Sequence, residues 1–267
     1  MLKDMSDENT FEFKLLGTGT STGVPTISCN CSTCISKDPK DKRLRCSALI
    51  TYKNKNIIID TGPDFRQQFL NYGINHLDAV VYTHHHFDHI GGVDDIRGIN
   101  FTSKKGLPIY LNSETLNNLS RIFSYAFRDY NETGGGIPMV DVNIISEGDF
   151  YVEGLKITIL PLLHGSLEVL GFRIGNIAYC TDTNYIPDST LELMQDLDVL
   201  ILDGLRPKLH RTHFNIEQAI VQANNINAKQ TFLTHIAHQV KHSEVENTLP
   251  EGINLAYDGL TITGKLL

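Results

Sequence analysis

Residues 83–89 constrain this chain most, because they contain four histidines, three of them in a spaced pattern with an aspartate, directly after a short apolar segment. Residues 78–82 have the character of a strand, and the potential ligands that follow are His84, His86, Asp88 and His89. Gly91 and Gly92 come next, which predicts a strand, a tight loop and then a helix. The sequence thus places four potential metal ligands at the carboxyl end of a strand.

Metal coordination is the chemistry that this spacing favours. His84 and His86 can converge on one cation, while Asp88 and His89 reach a second cation beside it. Imidazole suits zinc and other first-row ions, and a carboxylate adds negative charge. Two ions roughly 3.5–4 Å apart can hold a hydroxide between them and clamp a phosphoryl group. A solvated histidine-rich turn is the plainer alternative, but this spacing after an apolar strand is a specific signal.

Composition narrows the class of protein. The chain has 267 residues, of which 41% are hydrophobic, and this is enough for one large core, although length alone leaves one or two domains open. A formal net charge of −8 argues against a general nucleic-acid-binding surface. The polar N-terminal segment does not resemble a signal peptide, and no stretch approaches the ~20 apolar residues of a membrane span. We therefore expect a cytoplasmic protein without a membrane partner.

A second candidate metal site lies near the N-terminus. Five cysteines are present, and three of them, Cys29, Cys31 and Cys34, lie close together in a polar loop. In a cytoplasmic protein such clustering favours zinc over disulfides. Tetrahedral closure needs a fourth ligand, which could be Cys46 or a histidine from elsewhere. The alternative is three ordinary thiols in a loop.

Strands and helices alternate along the chain. Strands are predicted at residues 11–16, 47–52, 56–60, 108–111, 155–160, 169–174, 177–182, 198–203 and 230–235. Helices are predicted at residues 65–72, from an N-cap at Ser113 to about Arg128, and from an N-cap at Asn215 to about residue 224. Residues 134–136 are all glycine and mark a candidate lid.

Further polar residues lie where these strands end. His164, Asp182 and His235 each close a strand, and together with the histidine-rich loop they form a stronger signal than any one of them alone. Asp60 also ends a strand. Its carboxylate could fix the tautomer of a ligand histidine, or it could bond nearby amides as an ordinary turn residue.

This set of residues resembles the metallo-β-lactamase superfamily across nearly the whole chain. The resemblance implies an αββα sandwich, in which two mixed β-sheets lie back to back with helices on the outer faces, in a single domain spanning residues 1–267. Four segments narrow it: residues 17–19, the three clustered cysteines, residues 234–239 and residues 249–259. They look like the phosphoribosyl 1,2-cyclic phosphate phosphodiesterases of phosphonate degradation, which are similar to the tRNA 3′-processing endonucleases.

The resemblance also implies roles for individual residues. One active-site ion would be bound by His84, His86 and His164, the other by Asp88, His89 and His235, and Asp182 would bridge them. His238 would complete a structural zinc site with Cys29, Cys31 and Cys34. His213 matches a histidine that faces the substrate phosphate and is proposed as a general acid. His85 would point away from the metals, and His76, His210 and His242 would face solvent.

The expected function is a metal-dependent phosphodiesterase acting on small cyclic or activated phosphodiesters such as phosphoribosyl 1,2-cyclic phosphate. A hydroxide bridging two metal ions would attack phosphorus, with His213, Asp88 and Asp182 as catalytic residues. The expected cofactors are two divalent ions, zinc or manganese, and one structural zinc. The resemblance is compatible with a homodimer. The alternatives are another hydrolase of this fold, acting on a thioester, a lactam or an RNA phosphodiester, and a non-catalytic binding module.

Overall fold

Two β-sheets of seven strands each form the centre of the computed structural model, which describes residues 9–127 and 136–266. The strands are β1 (Thr10–Gly17), β2 (Ser47–Tyr52), β3 (Lys55–Ile59), β4 (Ala79–Val81), β5 (Leu107–Leu111), β6 (Val140–Ile144), β7 (Asp149–Val152), β8 (Leu155–His164), β9 (Leu167–Ile174), β10 (Ile177–Cys180), β11 (Val199–Asp203), β12 (Gln230–Thr234), β13 (Ile253–Leu255) and β14 (Thr261–Lys265). The α-helices are α1 (Phe65–Tyr72), α2 (Phe87–Ile90), α3 (Ile96–Ser103), α4 (Ser113–Ile122), α5 (Asp188–Glu192), α6 (Ile216–Ile226) and α7 (His242–Val245).

Both sheets mix parallel and antiparallel pairs. The first has the strand order β14-β1-β2-β3-β4-β5-β6, and β3 to β6 run parallel to one another. The second has the order β13-β12-β11-β10-β9-β8-β7, and β10 to β13 run parallel. Strands β8 and β10 both pair antiparallel with β9, so they point in the same direction. The carboxyl ends of β8, β10, β11 and β12 therefore meet at one edge, where open α/β sheets bind their ligands.

Apolar side chains fill three layers around these sheets. Strand β1 shows the period of two that a half-buried strand requires, with Phe11, Phe13 and Leu15 buried and Glu12 exposed. Residues of both sheets share the central core, for example Phe13 of the first sheet and Phe172 of the second. Two outer cores lie under the helices, with α6 on the second sheet and α1, α3 and α4 on the first. This confirms the predicted αββα sandwich.

The structure corrects several boundaries. Helix α4 has Asn112 as its N-cap, not Ser113, because the Asn112 side chain accepts a hydrogen bond from the Thr115 amide at 2.8 Å. It ends at Ile122 and is followed by a 3-10 turn over Ser124–Phe127. Arg128 and the first two glycines of the candidate lid lie outside the described residues. Strands β6 and β7, which sequence analysis did not predict, are at the two sheet edges and are largely exposed.

Of the residues that the structure describes, none belongs to a helix with the length and apolar character needed to cross a lipid bilayer.

Candidate active site

The histidine-rich segment spans a loop and the start of a short helix. His84 and His86 lie between β4 and α2, and Asp88 and His89 lie in the first turn of α2. The loop can approach the end of β3 closely because position 62 is glycine: a Cβ there would lie 2.1 Å from the Asp88 carbonyl oxygen. The segment therefore turns its ligands inward where the two sheets meet.

The seven predicted active-site ligands converge in two groups that share one carboxylate. In each group the ligand atoms lie within 4.8 Å of one another, and the groups are His84, His86, His164 and Asp182, and Asp88, His89, Asp182 and His235. Asp182 belongs to both. Its Oδ1 lies 3.3 Å from His89 Nε2, while its Oδ2 lies 3.3 Å from His235 Nε2 and 3.9 Å from His84 Nε2. The arrangement matches the division of ligands that the family resemblance implies.

Buried acceptors fix the orientation of individual histidines. His89 Nδ1 lies 2.7 Å from Asp60 Oδ2, and the same carboxylate accepts hydrogen bonds from the amide and hydroxyl of Thr83. His164 Nδ1 lies 2.6 Å from the Thr212 carbonyl oxygen. Because Nδ1 must carry the proton to donate to these acceptors, Nε2 is left with its lone pair toward the cluster. Of the two roles open to Asp60, the structure supports the one in which it orients a histidine.

Three residues at this edge hold an unusual backbone conformation. Asp60, Asp182 and His235 follow strands β3, β10 and β12, and their φ angles are 63°, 52° and 57°. This left-handed region costs a residue with a side chain on the order of 1–3 kcal/mol. Each of these residues follows a strand end, and its side chain belongs to the ligand groups or, for Asp60, bonds to one of their histidines, so the cost falls on the positions that build the site.

The side chains present fit divalent cations. His84 Nε2, His89 Nε2 and His235 Nε2 are buried and have no hydrogen-bond partner, which is an unfavourable arrangement unless a metal ion accepts their lone pairs. Burial lowers the pKa of His84 well below its ordinary value, and it also lowers the pKa of His164, so both rings favour the neutral ligand form. Burial opposes ionisation of Asp182, but His235 and His89 hold its pKa well below the usual range.

His213 lies beside this cluster and is paired with a carboxylate that sequence analysis assigned no role. Its Nδ1 is 2.6 Å from Asp203 Oδ2, and its ring packs against those of His164 and His235 with centroids 4.4 Å and 4.6 Å away. Although burial opposes a positive charge, Asp203 raises the pKa of His213 to about 9. Asp203 is the last residue of β11, and Asp60 directly follows β3. An aspartate at the end of a buried strand was therefore the sequence signal that could have identified Asp203.

The cysteine cluster is separate and has four donors. Cys29, Cys31 and Cys34 place their sulfurs 3.2 Å, 3.4 Å and 3.7 Å from His238 Nδ1. Backbone amides donate to two of these sulfurs, from Thr26 to Cys34 and from Cys34 to Cys31. The Cys34 amide, with His238, lowers the pKa of Cys31 to about 6, which favours the thiolate that zinc requires. Three sulfurs and one imidazole nitrogen form a donor set suited to tetrahedral zinc.

Cys46, the nearer candidate for the fourth ligand, lies elsewhere. It is buried, and its sulfur lies 3.5 Å from the Thr234 hydroxyl. Of the histidines predicted to face solvent, His76 and His210 are exposed, whereas His242 is buried at the start of α7 and that prediction is wrong. His85 is half-buried and belongs to neither cluster.

The glycine-rich segment after β1 joins the two clusters. The Thr20 amide donates to the Ile236 carbonyl, and the Ile236 amide donates to the Thr18 carbonyl. Gly19 lies between them, and a Cβ there would be 2.8 Å from the Arg43 carbonyl oxygen, so glycine permits the close approach. The segment therefore acts as a packing element that places the cysteine loop beside His235 and His238.

Comparison with known proteins identifies the family. Residues 55–236 match the family model described as a beta-lactamase superfamily domain. A crystal structure described as a new diphosphatase from the PhnP family is 41% identical, with a TM-score of 0.90, and the match covers 96% of this chain and 98% of that one. Human tRNase Z, short form, is 17% identical with a TM-score of 0.67, covering 94% of this chain and 98% of its own, and so shares the fold.

A curated relative carries a different name. The protein named octanoyltransferase from Porphyromonas gingivalis is 40% identical over 250 residues, which are 92% of this chain but 50% of the relative. The chain thus spans half the length of that protein. The family model, the PhnP-family structure and the two groups of histidine and aspartate ligands agree with the resemblance seen in the sequence, and this chain belongs to the metallo-β-lactamase superfamily of hydrolases, within its PhnP family.

Proposed function

We propose that this protein is a metal-dependent phosphodiesterase that hydrolyses small cyclic or otherwise activated phosphodiesters. The observation that carries the proposal is the sharing of Asp182 between two buried groups of imidazoles, with the His213–Asp203 pair directly beside them. A shared carboxylate suits two cations close enough to act on one phosphoryl group. The paired histidine supplies what a metal pair lacks, which is a proton for the leaving alkoxide.

Each part of the cluster has a distinct task. His84, His86 and His164 would hold one divalent ion, zinc or manganese, and Asp88, His89 and His235 would hold the other. Such a pair lowers the pKa of water and stabilises the negative charge that develops on phosphoryl oxygens. Asp60 and the Thr212 carbonyl keep His89 and His164 in the ligating tautomer.

His213 is suited to act as the general acid. Asp203 occupies its Nδ1 and favours the protonated ring, so Nε2 is the nitrogen that can give up a proton. Hydrolysis breaks one P–O bond and adds water, and the departing alkoxide needs that proton. The proton lost by water balances the one that His213 supplies.

The cavity next to His213 favours a small polar substrate. Its volume is about 260 Å³, and it is lined mainly by hydroxyl, amide, imidazole and guanidinium groups, with Leu205 and Ala237 as apolar exceptions. The cavity offers little apolar surface to an eight-carbon acyl chain, and this chain matches only half of the Porphyromonas gingivalis relative, so the activity named for that relative is not proposed for this chain. Hydrolysis of a thioester or of a lactam is the alternative reaction for a hydrolase of this fold.

A second candidate function is cleavage of a phosphoanhydride. It is favoured by the match to the structure described as a diphosphatase, at 41% identity over 98% of that chain. Diphosphates and cyclic phosphodiesters both react by attack on phosphorus, and they differ in whether the leaving group is a phosphate or an alkoxide. Since phosphate is the weaker base, diphosphate cleavage would depend less on His213 than diester cleavage does.

The test is hydrolysis by protein stripped of metal and then reloaded with zinc or manganese. We expect bis-p-nitrophenyl phosphate to be cleaved only after reloading, and ribose 1,2-cyclic phosphate bearing a 5-phosphate to be cleaved more efficiently. An alkyl diphosphate and an octanoyl thioester serve as comparison substrates. The proposal would be refuted if folded protein with metal in both groups of ligands hydrolysed neither diester. Faster turnover of the diphosphate than of the diesters would favour the second candidate.

The cysteine cluster is proposed to hold one structural zinc. Its four donors leave no position for a substrate, which is the arrangement of structural rather than catalytic zinc sites. Binding of zinc there would tie residues 29–34 to the segment that follows β12, and so would support His235 from outside the active site.

A further inference from the structure

Three segments of chain surround the mouth of the cavity beside the proposed general acid. They are residues 15–37, 204–216 and 235–243, and every described residue that lines the cavity belongs to one of them. None of the three segments contains an aspartate or a glutamate, although the chain has 31 of these residues and a formal net charge of −8. Apart from histidine, the charged side chains of these segments are therefore all lysines and arginines.

The same segments carry the most exposed aliphatic side chains of the described structure. Ile27, Leu209 and Ile35 have exposed fractions of 89%, 71% and 66%, the three largest among the described large hydrophobic residues. Ile27 directly follows Thr26, and Leu209 directly precedes His210, and both of these neighbours line the cavity. Exposed apolar side chains thus lie on two different segments at one cavity mouth.

Most of the basic side chains in these segments have no ion-pair partner. Lys37, Lys208 and Arg211 are exposed, and none of them forms an ion pair with a described residue. Lys241 is the exception, since it pairs with Glu244 at 2.7 Å. Cations without a counterion on their own chain create a positive field that attracts an anionic partner.

Backbone hydrogen bonds hold the two exposed loops in place. The Ile35 amide donates to the Cys31 carbonyl at 3.1 Å, within the cysteine loop. The Leu205 amide donates to the Phe214 carbonyl at 3.0 Å, which closes the second loop at its base. Side chains on loops that are already ordered bind a partner without the entropy cost of ordering the backbone.

We infer that this cavity mouth is a peripheral membrane-binding surface, which places Ile27, Leu209 and Ile35 in the interface of an anionic bilayer. Aliphatic side chains gain free energy when they leave water for the boundary between headgroups and acyl chains, and lysines and arginines beside them are attracted to anionic headgroups. The active-site cavity then opens toward the bilayer. Sequence analysis expected no membrane partner because it found neither a signal peptide nor a spanning stretch, and a peripheral surface requires neither.

Other occupants use only part of this surface. A nucleic acid would engage the cations through its phosphates but would leave the three aliphatic side chains in water. A symmetric dimer formed through this surface would cover the aliphatic side chains but would bring like charges together. An anionic bilayer complements both features.

Sedimentation with lipid vesicles tests the surface. We expect metal-loaded wild-type protein to bind vesicles made of equal parts phosphatidylcholine and phosphatidylglycerol, and to bind them less as salt is added. Binding to phosphatidylcholine alone should be at least about tenfold weaker. Ile27→Ser combined with Leu209→Ser should lower the partition coefficient by about 10- to 100-fold. Leu70→Ser is the control, because Leu70 is 60% exposed on α1, outside the three segments, and it should bind as the wild type does.

A second pair of variants tests the charges. Lys208→Gln combined with Arg211→Gln should weaken binding to the anionic vesicles about 25-fold, since each charge near such a surface contributes about fivefold. Binding to phosphatidylcholine alone should not change. Lys104→Gln combined with Lys105→Gln is the matched control, because both of these lysines are exposed and lie outside the three segments.

Vesicle binding is measured without substrate, so the phosphodiesterase proposal stands or fails separately. Absence of binding, equal binding to neutral and anionic vesicles, or wild-type binding by both test variants would overturn the membrane surface. Dimers in solution that the serine variant loses, without vesicle binding, would assign the surface to a second copy of this chain. Binding to single-stranded RNA at salt concentrations that release the vesicles would assign it to nucleic acid. Should the serine variant not fold, the glutamine variant still decides, because Lys208 and Arg211 are exposed.

Discussion

The two ligand clusters of this protein share histidine as a ligand but differ in their other ligands and in their surroundings. The active-site cluster (His84, His86, Asp88, His89, His164, Asp182 and His235) is mostly buried, and it lies beside His213, which lines a cavity. The cysteine cluster (Cys29, Cys31, Cys34 and His238) lies in loops, and its four donors converge on one point. Catalytic metal sites keep a position open for substrate, whereas structural sites close it. The difference supports the proposal that the first cluster carries the chemistry and that the second stabilises the fold.

The support of the ligands differs as well. In the active-site cluster His89 is oriented by a buried carboxylate and His164 by a backbone carbonyl, which fix the tautomers of these two rings. In the cysteine cluster backbone amides donate to the sulfurs, which stabilises thiolates but orients no reaction. Only two residues lie between His235 and His238, so one turn of chain after β12 serves both clusters.

Asp182→Ala is expected to have the largest effect on activity. Removal of the carboxylate shared by both ligand groups should lower the content of active-site metal and reduce hydrolysis by about 1,000-fold or more, since metal catalysis supplies several kcal/mol. Metal analysis measures the metal content, and kinetics on bis-p-nitrophenyl phosphate measure the rate of hydrolysis. Asp196→Ala is the matched control, because Asp196 also has a positive φ, 58°, but is exposed. Full retention of both ions in Asp182→Ala would refute the bridging role.

His213→Ala should lower kcat about 100- to 10,000-fold while leaving the metal content of both clusters unchanged, because it removes a proton donor and not a ligand. In this variant, hydrolysis that releases p-nitrophenolate, which needs no proton, should be slowed less than hydrolysis that releases an alkoxide. His76→Ala is the control, since His76 is exposed and remote from the cluster. Loss of metal from His213→Ala would instead place this residue among the ligands.

Asp60→Asn tests the orientation of a ligand by hydrogen bonding. The amide keeps the size of the side chain but no longer stabilises the Nδ1–H tautomer of His89 as a carboxylate does, so affinity for one active-site ion should fall about 10- to 100-fold. Titration of metal-stripped protein with zinc gives the affinity of each site. The cysteine cluster within the same variant serves as the internal control, and equal weakening at both clusters would point to general unfolding.

Cys31→Ser should separate stability from chemistry. We expect the loss of one bound zinc and a lower melting temperature, with kcat on bis-p-nitrophenyl phosphate within about threefold of wild type, because no cysteine of this cluster belongs to the groups around Asp182. Cys180→Ala is the control, since Cys180 is a buried core thiol outside the cluster. A large fall in kcat at temperatures where the variant remains folded would show that the cysteine cluster also affects the chemistry.

The potential metal ligands that lie at strand ends were the part of the site that could be predicted from the sequence. His84, His86, Asp88 and His89 lie within one short segment, so local spacing reveals them. His238 is a different case, because it lies 209 residues from Cys29, and only the path of the chain brings the two together. From the residues alone Cys46 was an equal candidate, and family resemblance was needed to decide.

The residues that sequence analysis missed depend on long-range pairing or on solvent exposure. Asp203 is linked to His213 by a loop whose closure cannot be deduced from either end. Arg206 is notable because its Nε is buried without a hydrogen-bond partner in the described structure, a property visible only after folding. His242 was expected in solvent, yet its amide donates to buried Asp41 and its ring is covered. Edge strands β6 and β7 were also not predicted, although the sequence of β6 alternates between apolar and polar residues.

The smallest expected effect concerns the support that both clusters share. Asp258 accepts hydrogen bonds from the amide and hydroxyl of Thr18 and from the Leu44 amide, so it holds the segment that pairs with Ile236. Burial raises the pKa of Asp258 to about 7, opposed by these donors. In the unfolded chain the pKa of an aspartate is about 3.9. The folded protein therefore binds more protons between these values, and stability should fall as pH rises from about 4 through 7.

Urea unfolding at pH 5.5 and pH 8 measures this contribution. Between these values Asp258 should lower the free energy of unfolding by about 2 kcal/mol, since each pKa unit corresponds to about 1.36 kcal/mol. Asp258→Asn removes the titration, so the difference between wild type and variant should shrink by this amount on going from pH 5.5 to pH 8. A difference that stays constant between pH 5.5 and pH 8 would mean that the three donors keep the carboxylate ionised, and that both clusters rest on a charged support.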